Sequence, residues 1–134
     1  STDFVKAYFD AYNAKDLQAV YNLEHSDVVL YAPNGMMIEG PKQHLELGEQ
    51  FLEANPIANW EIVWSMSADV KYDDMPKENW VTSGLLVTYG KDEESTSSVS
   101  RVVDLMIVDG KVKKGYVYQR GSFYITSAGF KLYK

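Results

Sequence analysis

SVSRVVDLMIVDGKVKKGYVYQRGSFY, residues 98–124, is the stretch whose reading decides how this chain folds. Two apolar runs flank Asp109-Gly110. A two-residue Asp-Gly connection between such runs is a strong hairpin signal, because a type I′ turn needs positive φ at both central positions. An almost unbroken hairpin from Ser98 to Tyr124 is therefore expected, and its turn sets a register. With Val108 opposite Lys111 and Ile107 opposite Val112, unbroken pairing puts Met106 against Lys113, Asp104 against Gly115, Val102 against Val117 and Ser100 against Gln119, all on one face. That face mixes apolar side chains with an acid, a hydroxyl and an amide, and leaves Gly115, without a side chain, across from Asp104. It is expected to be a pocket wall with Asp104 as its functional acid. The other face carries Arg101, Val103, Leu105 and Ile107 against Tyr118, Tyr116, Lys114 and Val112, a surface that should pack on something.

Upstream of the hairpin the chain reads as two further strands. Trp60, Ile62, Trp64 and Met66 alternate with Glu61, Val63, Ser65 and Ser67 in a run reaching about Tyr72, where Asp73-Asp74-Met75-Pro76 turns it; Asn79 to Tyr89 follows. The polar stretch 90–97 reads as a solvated hairpin tip. Before these strands come helices. Phe4, Tyr8, Ala11 and Tyr12 recur at i, i+4, i+7 and i+8, one wide apolar face of a helix from about Asp3 to Ala14. Asn13-Ala14-Lys15-Asp16 breaks it, and Asp16 is a natural N-cap for a second helix with Leu17, Val20, Tyr21 and Leu23. Val28–Ala32 is a short strand closed by Pro33-Asn34-Gly35, Met36–Glu39 returns, and Pro41 opens a third helix presenting Leu45, Gly48, Phe51 and Leu52. Helices followed by strands indicate α+β, with the helices on one face of a strongly curved, mainly antiparallel sheet, in one domain covering 1–134.

Composition narrows the partners. With 46% hydrophobic and 13% aromatic residues the chain is not disordered. Its apolar runs fall far short of the roughly 20 residues a membrane span requires. A formal charge of −6 with no basic stripe argues against nucleic acid. Absence of cysteine excludes disulfides, thiolate metal sites and cysteine nucleophiles, and leaves the compartment open. His25 and His44 have no second ligand at useful spacing, so neither metal nor cofactor is expected. The chain shows no signal peptide; Ser1 stands just before the first helix, which leaves a removed leader or a longer N-terminus open.

The order of elements, together with Tyr8-Phe9-Asp10-Ala11-Tyr12-Asn13-Ala14-Lys15-Asp16-Leu17, the Asp27…Ala32-Pro33…Gly35 strand and turn, Glu39-Gly40 before the third helix and the final hairpin, resembles the nuclear transport factor 2-like superfamily of cystatin-like α+β cones. Its SnoaL-like polyketide cyclase and ketosteroid isomerase branch is the nearest likeness, over nearly the whole chain. This fold hosts isomerases, dehydratases, cyclases, epoxide hydrolases and non-catalytic binding domains. By the resemblance, Tyr8 matches the isomerases' oxyanion-hole tyrosine and Asp104 its protonated partner acid, a carboxyl kept neutral by an apolar site. Ala32 stands where the isomerases carry their proton-transferring aspartate, so that base is missing. The two acids and arginine of the epoxide hydrolases are disfavoured, because Arg101 and Asp104, three apart on a strand, face opposite ways.

The expectation is a dimeric pocket protein for a small apolar molecule bearing a carbonyl or hydroxyl. Asp104 and Tyr8 would be catalytic, and Gln119, Ser100, Val102, Met106, Val117, Trp64 and Ala32 would line the pocket. The chemistry would be cofactor-free isomerisation, cyclisation or dehydration; the alternatives are a non-catalytic ligand-binding or interaction domain, or assembly alone. Arg101, Val103, Leu105, Tyr116 and Tyr118, left uncovered by one layer of helices, would form a two-fold dimer surface, an arrangement common in the family.

Overall fold

The computed structural model describes residues 2–119, 122–126 and 129–133, with side chains described for 2–119 only. Among these residues the helices are α1 (Thr2–Asn13), α2 (Leu17–Asn22) and α3 (Pro41–Ala54). The main sheet comprises β1 (Glu24–Tyr31), β2 (Met37–Glu39), β3 (Asn59–Val70), β4 (Glu78–Gly90), β5 (Thr96–Val108) and β6 (Lys111–Gln119), in the order β2-β1-β6-β5-β4-β3. Only the β1–β6 contact is parallel; the others are antiparallel, giving a curved mixed sheet. Ser122–Thr126 pairs with Gly129–Tyr133, so the hairpin's second arm ends at Gln119 rather than running to Tyr124. Residues 120 and 121, within the expected hairpin, lie outside the described residues.

Local sequence accounts for most element ends. Asp16 caps α2 by accepting from the Ala19 amide at 3.1 Å, and Lys15, at φ 60°, reverses the chain before it. Pro41 opens α3 after Gly40 at φ 84°. Asp109 and Gly110 adopt φ 53° and 73°, the pair of positive values a type I′ connection needs. α1 is docked by a reciprocal clamp: Asn13 donates to the Trp60 carbonyl at 2.8 Å and accepts from the Trp60 amide at 2.7 Å. Its buried Val5, Tyr8 and Phe9 enter a core with Val28, Leu30, Val81, Leu85, Val87, Val103, Leu105 and Val112.

The hairpin departs from unbroken pairing at one point. Ile107 pairs with Val112 as expected, but Met106 pairs with Lys114, so one extra residue bulges out of β6. From there the register runs Leu105 to Gly115, Asp104 to Tyr116, Val103 to Val117, Val102 to Tyr118 and Arg101 to Gln119. Val112 and Gly115 explain the bulge. Both are buried, yet three residues apart on a regular strand they would face opposite ways; the extra residue turns both inward. The consequence is a one-residue slip, which carries Gly115, Val117 and Gln119 from the Asp104 face of the hairpin to the face of Arg101, Val103 and Leu105. Arg101, Val103 and Leu105 lie on the inner face under the helices, whereas Asp104, Val102, Met106 and Ser100 lie on the outer one.

Candidate active site

The inner face of β5 and β6, the end of β1, α1 and α3 enclose a cavity of ≈ 280 Å³, near the lower end of the roughly 300–1,000 Å³ usual for small-molecule pockets. Its lining is mostly apolar, with Leu30, Ile38, Phe51, Trp60, Val103 and Leu105 among the walls. Polar groups enter from two sides. Tyr8, Tyr12 and His44 come from the helices and Arg101 from β5.

The helix-side groups belong to one hydrogen-bonded chain anchored on Glu24, whose side chain is fully buried at the start of β1. Glu24 Oε2 accepts from the Tyr8 hydroxyl at 2.6 Å and lies 2.6 Å from His44 Nδ1. His44 Nε2 lies 2.7 Å from the Tyr12 hydroxyl. A carboxylate can only accept, so Nδ1 carries the hydrogen that faces it and Nε2 is left to the tyrosine. Tyr8 and Tyr12, four residues apart on α1, present their rings to one side at a centroid distance of 5.3 Å. Burial, chiefly, holds both hydroxyls well above the ordinary tyrosine range, with the Glu24 charge adding to it. Both therefore keep their protons at neutral pH. Glu24 Oε1 is buried with no hydrogen-bond partner.

Arg101 presents the opposite imbalance. Its Nε is buried with no acceptor, and an unpaired buried donor costs about 1–3 kcal/mol. Burial pulls its pKa down, with the nearby Tyr89 acting the other way; a guanidinium nonetheless stays charged.

Of the residues singled out in the sequence, Tyr8, Ala32 and Val117 line the cavity. Tyr8 is there for a different reason from the expected one: its hydroxyl hydrogen is committed to Glu24, so it is not free to polarise a ligand carbonyl. Asp104 does not line it. Its side chain lies on the outer face, beside Thr82 and Tyr116 in the register, with Oδ1 buried and unpartnered. Ser100, Val102 and Met106 share that outer face. Trp64 lies there too, over Gly84, where an added Cβ would sit 2.0 Å from the indole nitrogen. Gln119 is the inward neighbour of Arg101 in the register but is not part of the cavity wall. Among the residues expected on a dimer surface, Arg101, Val103 and Leu105 are therefore inside, and only Tyr116 and Tyr118 are outside.

Glu24, His44 and Tyr12 were not singled out as functional from the sequence. The available signal was a matter of polar accounting: two tyrosines on one apolar helix face each need a buried partner. Glu24, at the mouth of an apolar strand, and His44, one turn before Leu47 and Gly48 on α3, are the polar residues placed to supply it.

Residues 5–114 match the family model described as the SnoaL-like domain. The chain belongs to the SnoaL-like family. Solved structures agree on the fold. A cystatin-like-fold protein from Caulobacter vibrioides superposes with a TM-score of 0.72 at 16% identity, covering 88% of this chain and 85% of that one. A candidate ketosteroid isomerase from Kribbella flavida gives 0.69 at 18%, over 91% and 78%. A candidate polyketide cyclase from Sinorhizobium meliloti gives 0.64 at 21%, over 86% and 93%. No curated protein matches the sequence. At such identities these structures establish the nuclear transport factor 2-like cone as the fold of this SnoaL-like chain and leave the chemistry to the site. Among the described residues no cluster of three or more His, Asp or Glu side chains could hold a metal, and no helix is long and apolar enough to cross a membrane.

Proposed function

We propose that this SnoaL-like protein binds a small apolar molecule bearing a carbonyl or hydroxyl and carries out cofactor-free acid–base chemistry on it, of the isomerase, cyclase or dehydratase type. The observation that carries this reading is a buried Glu24–His44–Tyr12 chain ending at an apolar cavity. Glu24 fixes the orientation of the imidazole through Nδ1, the role a carboxylate plays toward any orienting histidine. With His44 neutral, the Tyr12 hydroxyl donates to Nε2 and its oxygen can accept from the ligand. With His44 protonated, Nε2 donates to the Tyr12 oxygen and frees the tyrosine O–H to donate to a carbonyl. Tyr12 is thus the group in contact and His44 the proton store behind it, an arrangement that uses no base at Ala32. Tyr8 holds Glu24 in place.

The test is a panel of enones and phenols titrated by intrinsic tryptophan fluorescence in a Trp64→Phe, Trp80→Phe background that leaves Trp60, the cavity's tryptophan, as the reporter, with absorbance followed for turnover. Binding with turnover that Tyr12→Phe or His44→Gln abolishes supports the reading. Binding by the wild type without turnover favours a non-catalytic pocket, the reading that Ala32 supports. Binding unaffected by either substitution would remove the relay from the site.

A homodimer through the outer sheet face belongs to the same proposal, with the bulge deciding its residues. Tyr116 stacks on Tyr31 at 4.9 Å, on Trp80 at 6.1 Å and on Tyr118 at 6.4 Å. Beside this ladder Trp64, Met66 and Tyr118 are 46%, 56% and 52% exposed. An apolar sheet face of this kind is best covered by a copy of itself. Sedimentation showing only monomer at micromolar concentration would refute it.

A further inference from the structure

The cavity holds a charge that the relay does not use. Arg101 reaches it from the inner face of β5, between Leu85 on β4 and Gln119 on β6 in the register, and along its own strand it is followed inward by the buried Val103 and Leu105. Its Nε is buried and unpartnered. Among the described residues no carboxylate forms an ion pair with it. None of the described acidic side chains lines the cavity, and Glu24, the acid behind its helix-side wall, is taken by Tyr8 and His44. A chain with 19 acidic residues thus leaves a pocket-lining guanidinium without a counter-charge among the described residues.

We propose that Arg101 is the anchor for a carboxylate on the cavity's ligand, which makes the ligand class an apolar carboxylic acid rather than a neutral molecule. The inference rests on the cavity being the ligand site. A guanidinium offers a planar fork of N–H donors that matches a carboxylate edge-on, and in an apolar enclosure that pair forms with little competition from water. The charge count favours a monoanion. With one cation and mostly apolar walls, a phosphate dianion would keep uncompensated charge and unfilled acceptors. The carboxylate end sits at Arg101 and the remaining apolar body extends along Val103, Leu105 and the helix-side walls.

The bulk field argues the other way, which makes the test discriminating. At a net charge of −6 the protein as a whole repels anions, so a preference for one must come from a local contact. The probes are 2-naphthoate and 2-naphthamide, nearly the same shape, titrated by calorimetry. Wild type should bind the naphthoate at least about tenfold more tightly than the amide. Arg101→Met should lose that preference while binding the amide as wild type does, which also reports that the variant is folded. Arg101→Lys keeps the charge without the fork and should retain only part of the preference. Equal binding of the two probes by wild type, or a preference that survives in Arg101→Met, overturns the anchor and leaves the cavity reading standing. A folded wild type that binds neither probe overturns the cavity reading, and the anchor with it.

Discussion

The Glu24 chain can be tested without knowing the ligand, through a double-mutant cycle of Tyr8→Phe and Glu24→Gln. Tyr8 donates to Glu24 at 2.6 Å inside the core. A hydrogen bond to a charged acceptor contributes about 1.5–3 kcal/mol, against about 0.5–1.5 kcal/mol between neutral partners. Tyr8→Phe should therefore cost about 2–3 kcal/mol in the wild-type background and about 1 kcal/mol once Glu24 is an amide, a coupling of about 1 kcal/mol or more. Glu24→Gln alone does not decide the matter. It relieves the desolvation of a buried charge, but it places an amide N–H where Oε1 has no partner, and the two effects oppose each other. Only the cycle isolates the pair. Urea unfolding of the four proteins at neutral pH measures it, with slopes compared so that a change in compactness is not read as stability. Costs of Tyr8→Phe that agree in both backgrounds within about 0.3 kcal/mol would mean that Glu24 carries no charge toward Tyr8, and the proposed anchoring of His44 would go with it.

Alkaline pH gives an independent reading. Tyr8 and Tyr12 keep their protons in the fold, chiefly through burial, whereas in the unfolded chain they release them near pH 10. The unfolded state then binds fewer protons, so stability is full below about pH 10 and falls above it by about 1.4 kcal/mol per pH unit for each tyrosine; urea midpoints at rising pH should show this, and Tyr8→Phe should halve the slope. Asp104→Asn, contrary to what the strand pattern suggests, should leave probe affinity in the cavity unchanged in the calorimetric titration while altering self-association measured by sedimentation. At Gly115 an added Cβ would lie 2.7 Å from Leu30 Cδ2 and 2.9 Å from Leu105 Cδ2; Gly115→Ala should cost about 1–3 kcal/mol in urea unfolding, the range for overpacking a core. Gly48 sits inside α3 with Leu17 methyls 3.4 Å from an added Cβ, an ordinary contact, so Gly48→Ala should raise stability by up to about 1 kcal/mol through helix propensity.

How much was legible beforehand differs from element to element. The helix faces, the Asp16 cap, the Pro41 start and the Asp109-Gly110 turn are local decisions, made by residues that touch their own neighbours, and they could be read directly. The α+β class followed from their order. Val117 and Ala32 do line the cavity, but Val117 does so opposite Val103 rather than opposite Val102, on the Arg101 face rather than the Asp104 face. The bulge did not announce itself: Lys113 and Lys114 look alike in a strand pattern, and choosing which of them to leave out of the ladder requires knowing that Val112 and Gly115 must both meet the core.

That single unpaired residue moved Gly115, Val117 and Gln119 from the side of Asp104 to the side of Arg101. Alternation along β5 is a property of the sequence, and it did establish that these two side chains face opposite ways. Which of the two faces the helices cover is a matter of register against β6 and β4, set by the burial of residues far apart in the chain. The Glu24, His44 and Tyr12 chain is tertiary in the same sense. Its members come from three elements 20 and 32 residues apart, and what unites them is that each carries a polar group which burial obliges to find a partner.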